Sequence, residues 1–189
     1  MILALSSTSR PQGYGDALIS LQAAQLHLRV DPGTEEDELI EALRDAAVQA
    51  VEDHCHIRLL FQDGLVACFP GFGKGMRVGV GPVSTVLVTR ISYIGADGVA
   101  VELAEGDWTV GVDGVLYPAA RKNWPCGGPV TVTFGAGYAA GECPAPLIAA
   151  AKIVLGYLFD MRSLPAEDQG AALPVAVDLL CSRYVQPVI

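Results

Sequence analysis

Charge is scarce in this chain, and positive charge scarcer still. Asp, Glu, Lys and Arg make up 17% of 189 residues, with 12 Lys and Arg against 21 Asp and Glu, a formal net charge of −9. A surface that grips nucleic acid needs clustered Lys and Arg, so such a role is not expected. A surface that nucleic acid slides past is not excluded. Long apolar runs are missing as well. The best candidate, Pro144 to Phe159, is interrupted by Lys152 and falls short of the about 18 apolar residues that a spanning helix needs, so no membrane association is expected. The N-terminus, Met1 to Leu5, is apolar but lacks a basic n-region, which argues against a signal peptide. No cysteine pair has the Cys-x-x-Cys spacing. Cys55, Cys68, Cys126, Cys143 and Cys181 are odd in number and read as free thiols in a reducing compartment. Aromatics are few, at 7%.

Apolar residues are abundant: 51% of the chain, with a mean hydropathy of +0.39 carried largely by aliphatic residues such as Ala and Val rather than by large aromatics. Without a membrane to absorb it, that surplus points to apolar surface covered by other subunits. The length suits one domain, with room for an embedded subdomain.

The clearest pattern runs from Ser20 to Cys55. Leu39, Ile40, Leu43, Ala46, Ala47, Ala50, Val51 and Cys55 recur in steps of three and four, as on one face of an α-helix. Thr34 can cap it, with Asp37 at the capping-box position. Glu35 to Glu38 crowd its first turn, where the helix dipole favours negative charge. The helix should extend roughly 30 Å. Ser20 can cap a shorter helix to about Leu28, stopped by Asp31-Pro32-Gly33. The expectation is an αα-hairpin with an apolar seam and an acidic back.

From residue 57 the period changes to two. Leu65–Phe69, Met76–Val80, Val83–Ile94, Val99–Leu103, Trp108–Val112, Val115–Tyr117 and Val130–Phe134 read as strands, divided by Pro70, Gly81-Pro82, Asp97-Gly98 and Asp113-Gly114. Helix returns after Pro144 and Pro146, with Leu147, Ile148, Ala151, Val154, Leu155, Leu158 and Phe159 on a broad apolar face. Pro174 to Arg183 reads as a last short helix. The fold class is therefore α+β. A helical bundle is drawn from the N- and C-terminal segments (20–56 and 144–183), and an antiparallel β unit (57–138) is inserted between them. Residues 1–19 read as an arm and 184–189 as an extended apolar tail.

Four stretches invite chemical readings. His54-Cys55-His56 could supply metal ligands or a thiol nucleophile, with Cys68 as a further ligand; this supports an alternative reading as a small metal-binding or thiol enzyme. Residues i and i+2 do not share a helix face, so a helix terminus with His at the negative dipole end is the simpler account. Gly71-Phe72-Gly73-Lys74-Gly75 lacks the Gly-Lys-Ser/Thr and following helix of a phosphate loop and reads as a strand connection. The acids Glu35 to Glu38, Glu41, Asp45, Glu52 and Asp53 have helical rather than calcium-loop spacing and read as a solvated face. In the tail, Tyr184, Val185, Val188 and Ile189 would suit strand addition to a partner's sheet.

One series of features runs through most of the chain. It comprises Ser20-Leu21…Ala24…His27-Leu28-Arg29-Val30-Asp31, the helix from Asp37-Glu38-Leu39-Ile40 to Ala50-Val51-Glu52, Gly81-Pro82-Val83, Ile91-Ser92-Tyr93, Asp97-Gly98 and Trp124-Pro125. It continues with Val132-Thr133-Phe134-Gly135-Ala136-Gly137-Tyr138, Pro144-Ala145-Pro146-Leu147 and Tyr157-Leu158-Phe159-Asp160-Met161-Arg162. In this order they resemble the head–tail connector (adaptor) proteins of long-tailed bacteriophages and phage-like gene transfer agents. Two departures stand out. His54-Cys55-His56 replaces the more usual aromatic-Thr-Gly, and the next strand lacks Thr-Trp.

The resemblance implies a structural protein without catalysis or cofactor, made in the bacterial cytoplasm and incorporated into the neck of the particle. It implies a homo-oligomeric ring, commonly of twelve subunits, beneath the portal protein. Such a ring extends the DNA channel and presents a surface to the stopper or tail-completion protein. On this view Tyr184, Val185, Val188 and Ile189 are candidates for portal binding. Glu38, Glu41 and Asp45 are candidates for an acidic channel wall that lets DNA pass without sticking.

Overall fold

The computed structural model describes residues 4–6, 10, 13–33, 35–78, 86–111, 114–162 and 173–186. They form two compact units. One is built from residues 10–60 and 138–186, the other from 61–137 with the strand Ala4–Ser6.

The first unit is helical. Helix α1 (Leu21–Leu28) starts where expected, with the Ser20 side chain accepting from Ala23 N. It ends with Arg29 in the left-handed region (φ 59°), while Val30 N reaches back to Gln25 O at 3.0 Å. Helix α2 (Asp37–Cys55) ends the same way, with His56 at φ 55° and Ile57 N bonded to Glu52 O. In both, the orphan carbonyls of the last turn are satisfied by a backward-reaching amide and an apolar residue follows. Thr34, the expected cap of α2, lies outside the described residues. Asp37 opens the helix and accepts a 2.8 Å bond from Gln25 Nε2, tying α1 to α2.

Helix α3 (Ala145–Met161) follows Pro144, and α4 (Val175–Cys181) follows Pro174, with backbone φ near the value the proline ring imposes. The core joins Ile40, Val48 and Val51 of α2 to Leu147, Val154 and Leu155 of α3 and Val177 of α4. Tyr14–Ala17 form a 3₁₀ turn that packs on α2, so the stretch expected as a loose arm is structured from Gly13 onward.

The second unit is antiparallel β. Strand β1 (Ala4–Ser6) pairs with β2 (Gln62–Phe69), placing a piece of the expected arm at a sheet edge. With β4 (Leu87–Gly95), β5 (Ala100–Glu102) and β8 (Gly127–Ala136), they form a sheet ordered β1-β2-β8-β4-β5. Strands β3 (Met76–Arg77), β6 (Trp108–Val110) and β7 (Val115–Pro118) form a second sheet ordered β3-β7-β6. Leu65, Ala67 and Phe69 face inward at the period of two. In β4 the inward residues Val88 and Ile91 are three apart. A register shift between Val88 and Arg90 accounts for this, since an extra residue in one strand resets which face follows. Of the strands that the sequence suggests, residues 79–80, 83–85 and 112 lie outside the described residues.

Candidate functional site

The helical unit carries a buried polar node. Arg44 and Glu52 are each only 1% exposed. They sit in one stripe with Ile40 and Val48, four residues apart at each step, which puts all four on one face of α2. That face is rotated from the expected one: Leu39 and Ala46 are exposed, and Arg44, Val48 and Glu52 point inward.

Glu52 is therefore not part of a solvated acidic face. Its Oε1 accepts from the Tyr14 hydroxyl at 2.6 Å and from Leu59 N at 2.8 Å. Its Oε2 takes Arg10 Nε at 2.8 Å and Arg58 Nη1 at 3.3 Å. A carboxylate removed from water needs such a set of donors and cations to be tolerable. Burial holds the Tyr14 phenol well above its ordinary range, and the neighbouring Glu52 charge adds to the effect. Arg44 pairs with Asp16 at 2.9 Å and with Asp45 at 3.1 Å. Asp45 also accepts from Gly13 N and Gly15 N. Both nodes thus fasten Arg10 and the Gly13–Asp16 stretch to α2.

The proposed channel acids separate accordingly. Glu38 and Glu41 are exposed on α2, whereas the Asp45 carboxylate is committed to the Gly13–Gly15 turn. The tail divides too. Tyr184 is half-buried against the helical core, in a turn after α4 rather than in an extended strand, and Gln186 N donates to Cys55 O at 2.9 Å. Val185 is exposed, while Val188 and Ile189 lie outside the described residues.

The His54-Cys55-His56 cluster is dispersed. His54 Nε2 lies 3.3 Å from Asp178 on α4. Cys55 is buried and hydrogen-bonded to Cys181, which together with burial raises its thiol well above the ordinary range. His56 is the left-handed residue that ends α2. Cys143 is likewise pushed up by burial, to about 12. Thiols held protonated in this way are poor nucleophiles at neutral pH. Cys68 is half-buried on β2, and among the described residues no group of three or more His, Cys, Asp or Glu is placed to hold a metal. Lys74 lies in the turn between β2 and β3, with a strand and not a helix after it.

Three of the most exposed large apolar side chains lie in the helical unit: Val175 (82%), Leu26 (81%) and Leu179 (76%). Leu26 borders an open groove of about 960 Å³ formed by α1 and the loop to α2. In the β unit, Phe72 stacks on Trp124 (centroids 5.0 Å apart) and meets the Tyr93 edge at 5.2 Å. Beside them Lys122 Nζ bonds Asp107 at 2.6 Å, which lowers the Asp107 carboxyl. No helix among the described residues is long and apolar enough to cross a membrane.

Neither the protein-family models nor the curated proteins include a match to this chain. Solved structures do. A chain in the neck of an empty GTA particle computed with C6 symmetry superposes with a TM-score of 0.73 at 22% identity, covering 99% of this chain and 97% of that one. This chain has the fold of that neck protein. A chain from the virion of a native gene transfer agent particle aligns at 0.71, and one from the neck of a native GTA particle computed with C12 symmetry at 0.69, both at 22% identity and the same coverage. The likeness spans the helical and β segments alike.

Sequence reasoning missed Glu52 and Arg44 because it sorted α2 by hydropathy alone. A signal was available in the stripe Ile40, Arg44, Val48, Glu52, which alternates apolar and charged residues at helical spacing. The partners of Glu52, Arg10 and Tyr14, lie 42 and 38 residues away, and Asp16 lies 28 from Arg44; they carry no such signal.

Proposed function

We propose that the protein is a structural component of the neck of a phage-like particle. It forms an oligomeric ring that joins the portal to the stopper and tail and continues the DNA channel, with no catalytic step of its own. The observation that carries this reading is the superposition on gene transfer agent neck chains over nearly the whole of both partners. Exposed Leu26, Val175 and Leu179 support it, since an assembling subunit must present apolar surface.

Within the ring, Glu38 and Glu41 line the channel and repel phosphates, so that DNA passes without binding. The end of the chain, from exposed Val185 through Val188 and Ile189, docks on the portal by adding to a sheet edge. Tyr184 serves instead to anchor that segment to the helical core.

The test is the mass of the purified protein, alone and mixed with a portal ring, by native mass spectrometry or light scattering. A ring, or a subunit that joins the portal in near one-to-one ratio, is the expected result. A protein indifferent to the portal overturns the assignment.

A further inference from the structure

The helical unit exposes two apolar features, a ridge and a groove, that carry opposite charge. The first is a ridge on α4. Val175 and Leu179 are four residues apart, hence on one face, and both are more than three-quarters exposed. Arg183, four residues further on, continues the line just beyond the helix. It is exposed and makes no ion pair among the described residues. The second is the groove between α1 and the following loop, lined by Leu21, Ala23, Leu26 and Val30. Its polar lining includes two acids, Asp31 and Asp37, against one cation, Arg29. The buried amide of Gln25 faces Asp37 and is already satisfied, so no unmet polar group in that side chain calls for a small polar ligand.

We propose that Val175 and Leu179 of one copy seat in this groove of a second copy, with Arg183 reaching the acidic rim at Asp31. The ridge carries two apolar side chains and a cation; the groove is lined by apolar residues and carries a net acidic charge. The two are complementary in kind, apolar against apolar and cation against acid. Ridge and groove are different surfaces of one subunit, so the contact is head-to-tail and leaves a free ridge and a free groove at the ends of every pair. Such contacts propagate until they close into a ring or run on as a filament. The closure into a ring rests on the neck reading above; the contact itself does not.

The test uses two variants of the full chain, Leu26→Asp and Leu179→Asp. Each replaces an exposed side chain, so the thermal unfolding midpoint, taken at a dilution where the wild type is monomeric, should stay at the wild-type value. Sedimentation of the wild type should show association that rises with concentration. Each variant alone should associate at least about tenfold more weakly, as expected for loss of a central apolar anchor. Mixed together, they should form dimers and nothing larger. The Leu26→Asp copy keeps its ridge and the Leu179→Asp copy keeps its groove, which leaves one sound contact per pair.

A charge exchange gives an independent reading: Arg183→Glu should weaken association and Asp31→Arg in the partner copy should restore it. Several results overturn the proposal: a wild type that is monomeric at all concentrations, variants that associate normally, or a mixture that forms no dimer. Variants that lose thermal stability without any change in association also overturn it, because the side chains would then be covered by their own chain. A wild type that is monomeric alone yet joins portal rings removes this contact and leaves the neck assignment standing.

Discussion

The Tyr14 hydroxyl donates a 2.6 Å hydrogen bond to the buried carboxylate of Glu52, 38 residues further along the chain. The same carboxylate holds Leu59 N, so one side chain near the end of α2 organises both the segment before the helices and the turn after them. The phenol oxygen in turn accepts from Leu60 N at 3.1 Å. Two loop segments that share no contact in sequence thus meet on a single charged group.

Tyr14→Phe should destabilise the helical unit by about 1–3 kcal/mol, because it strips a donor from Glu52 and leaves Leu60 N without its acceptor. The pH dependence has a definite sign. The folded state holds the phenol proton well above the ordinary value near 10. Below that value the tyrosine contributes its full stability. Above it the unfolded chain loses the proton while the folded one keeps it, so stability falls as pH rises. Chemical denaturation at neutral pH and above pH 10 checks this: the gap between wild type and Tyr14→Phe should narrow in alkali.

Glu52→Gln should be more severe, at about 3 kcal/mol or more, since it leaves the buried Arg58 guanidinium without a counter-charge. Arg10→Ala should cost less, roughly 1–2 kcal/mol, because that side chain keeps partial access to water. Urea midpoints of the two variants should rank in that order, and equal midpoints would refute the central position of Glu52.

Gly15→Ala should destabilise by about 1–3 kcal/mol through overpacking. A methyl group there would stand 2.6 Å from Asp45 Oδ1 and 3.2 Å from Arg44 Nε. The cost should shrink when Asp45 is also replaced by Ala, because the obstructing oxygen is gone. A double-mutant cycle of unfolding free energies measures that coupling, and strictly additive effects would show that the contact is not what limits position 15.

Two truncations separate anchoring from docking at the C-terminus. Removing residues 187–189 should leave the thermal midpoint unchanged and weaken portal binding. Removing 184–189 should also lower stability, by roughly 1–3 kcal/mol, because Tyr184 packs on the core and Gln186 N bonds Cys55 O at the end of α2. Calorimetry and portal pull-down of both chains decide it; identical midpoints would return Tyr184 to the docking segment.

The sequence by itself determined the order of elements, the α+β class and most strand positions, because these follow from period, turn residues and caps that act within a few residues of each other. Ser20 capping α1, Pro144 opening α3 and the alternation of Leu65, Ala67 and Phe69 are local physics. The ordered series of local features was also enough to suggest the neck fold. Tertiary structure alone decided which face of α2 turns inward. Hydropathy favours Leu39 and Ala46 there, but Arg10, Arg58, Tyr14 and Asp16 arrive from other parts of the chain and make Arg44 and Glu52 affordable in the core. The same distant partners turned residues 13–19 from a loose arm into packed structure. They also drew Asp45 out of the acidic face, since a buried charge is settled by its whole surroundings and not by its neighbours in sequence.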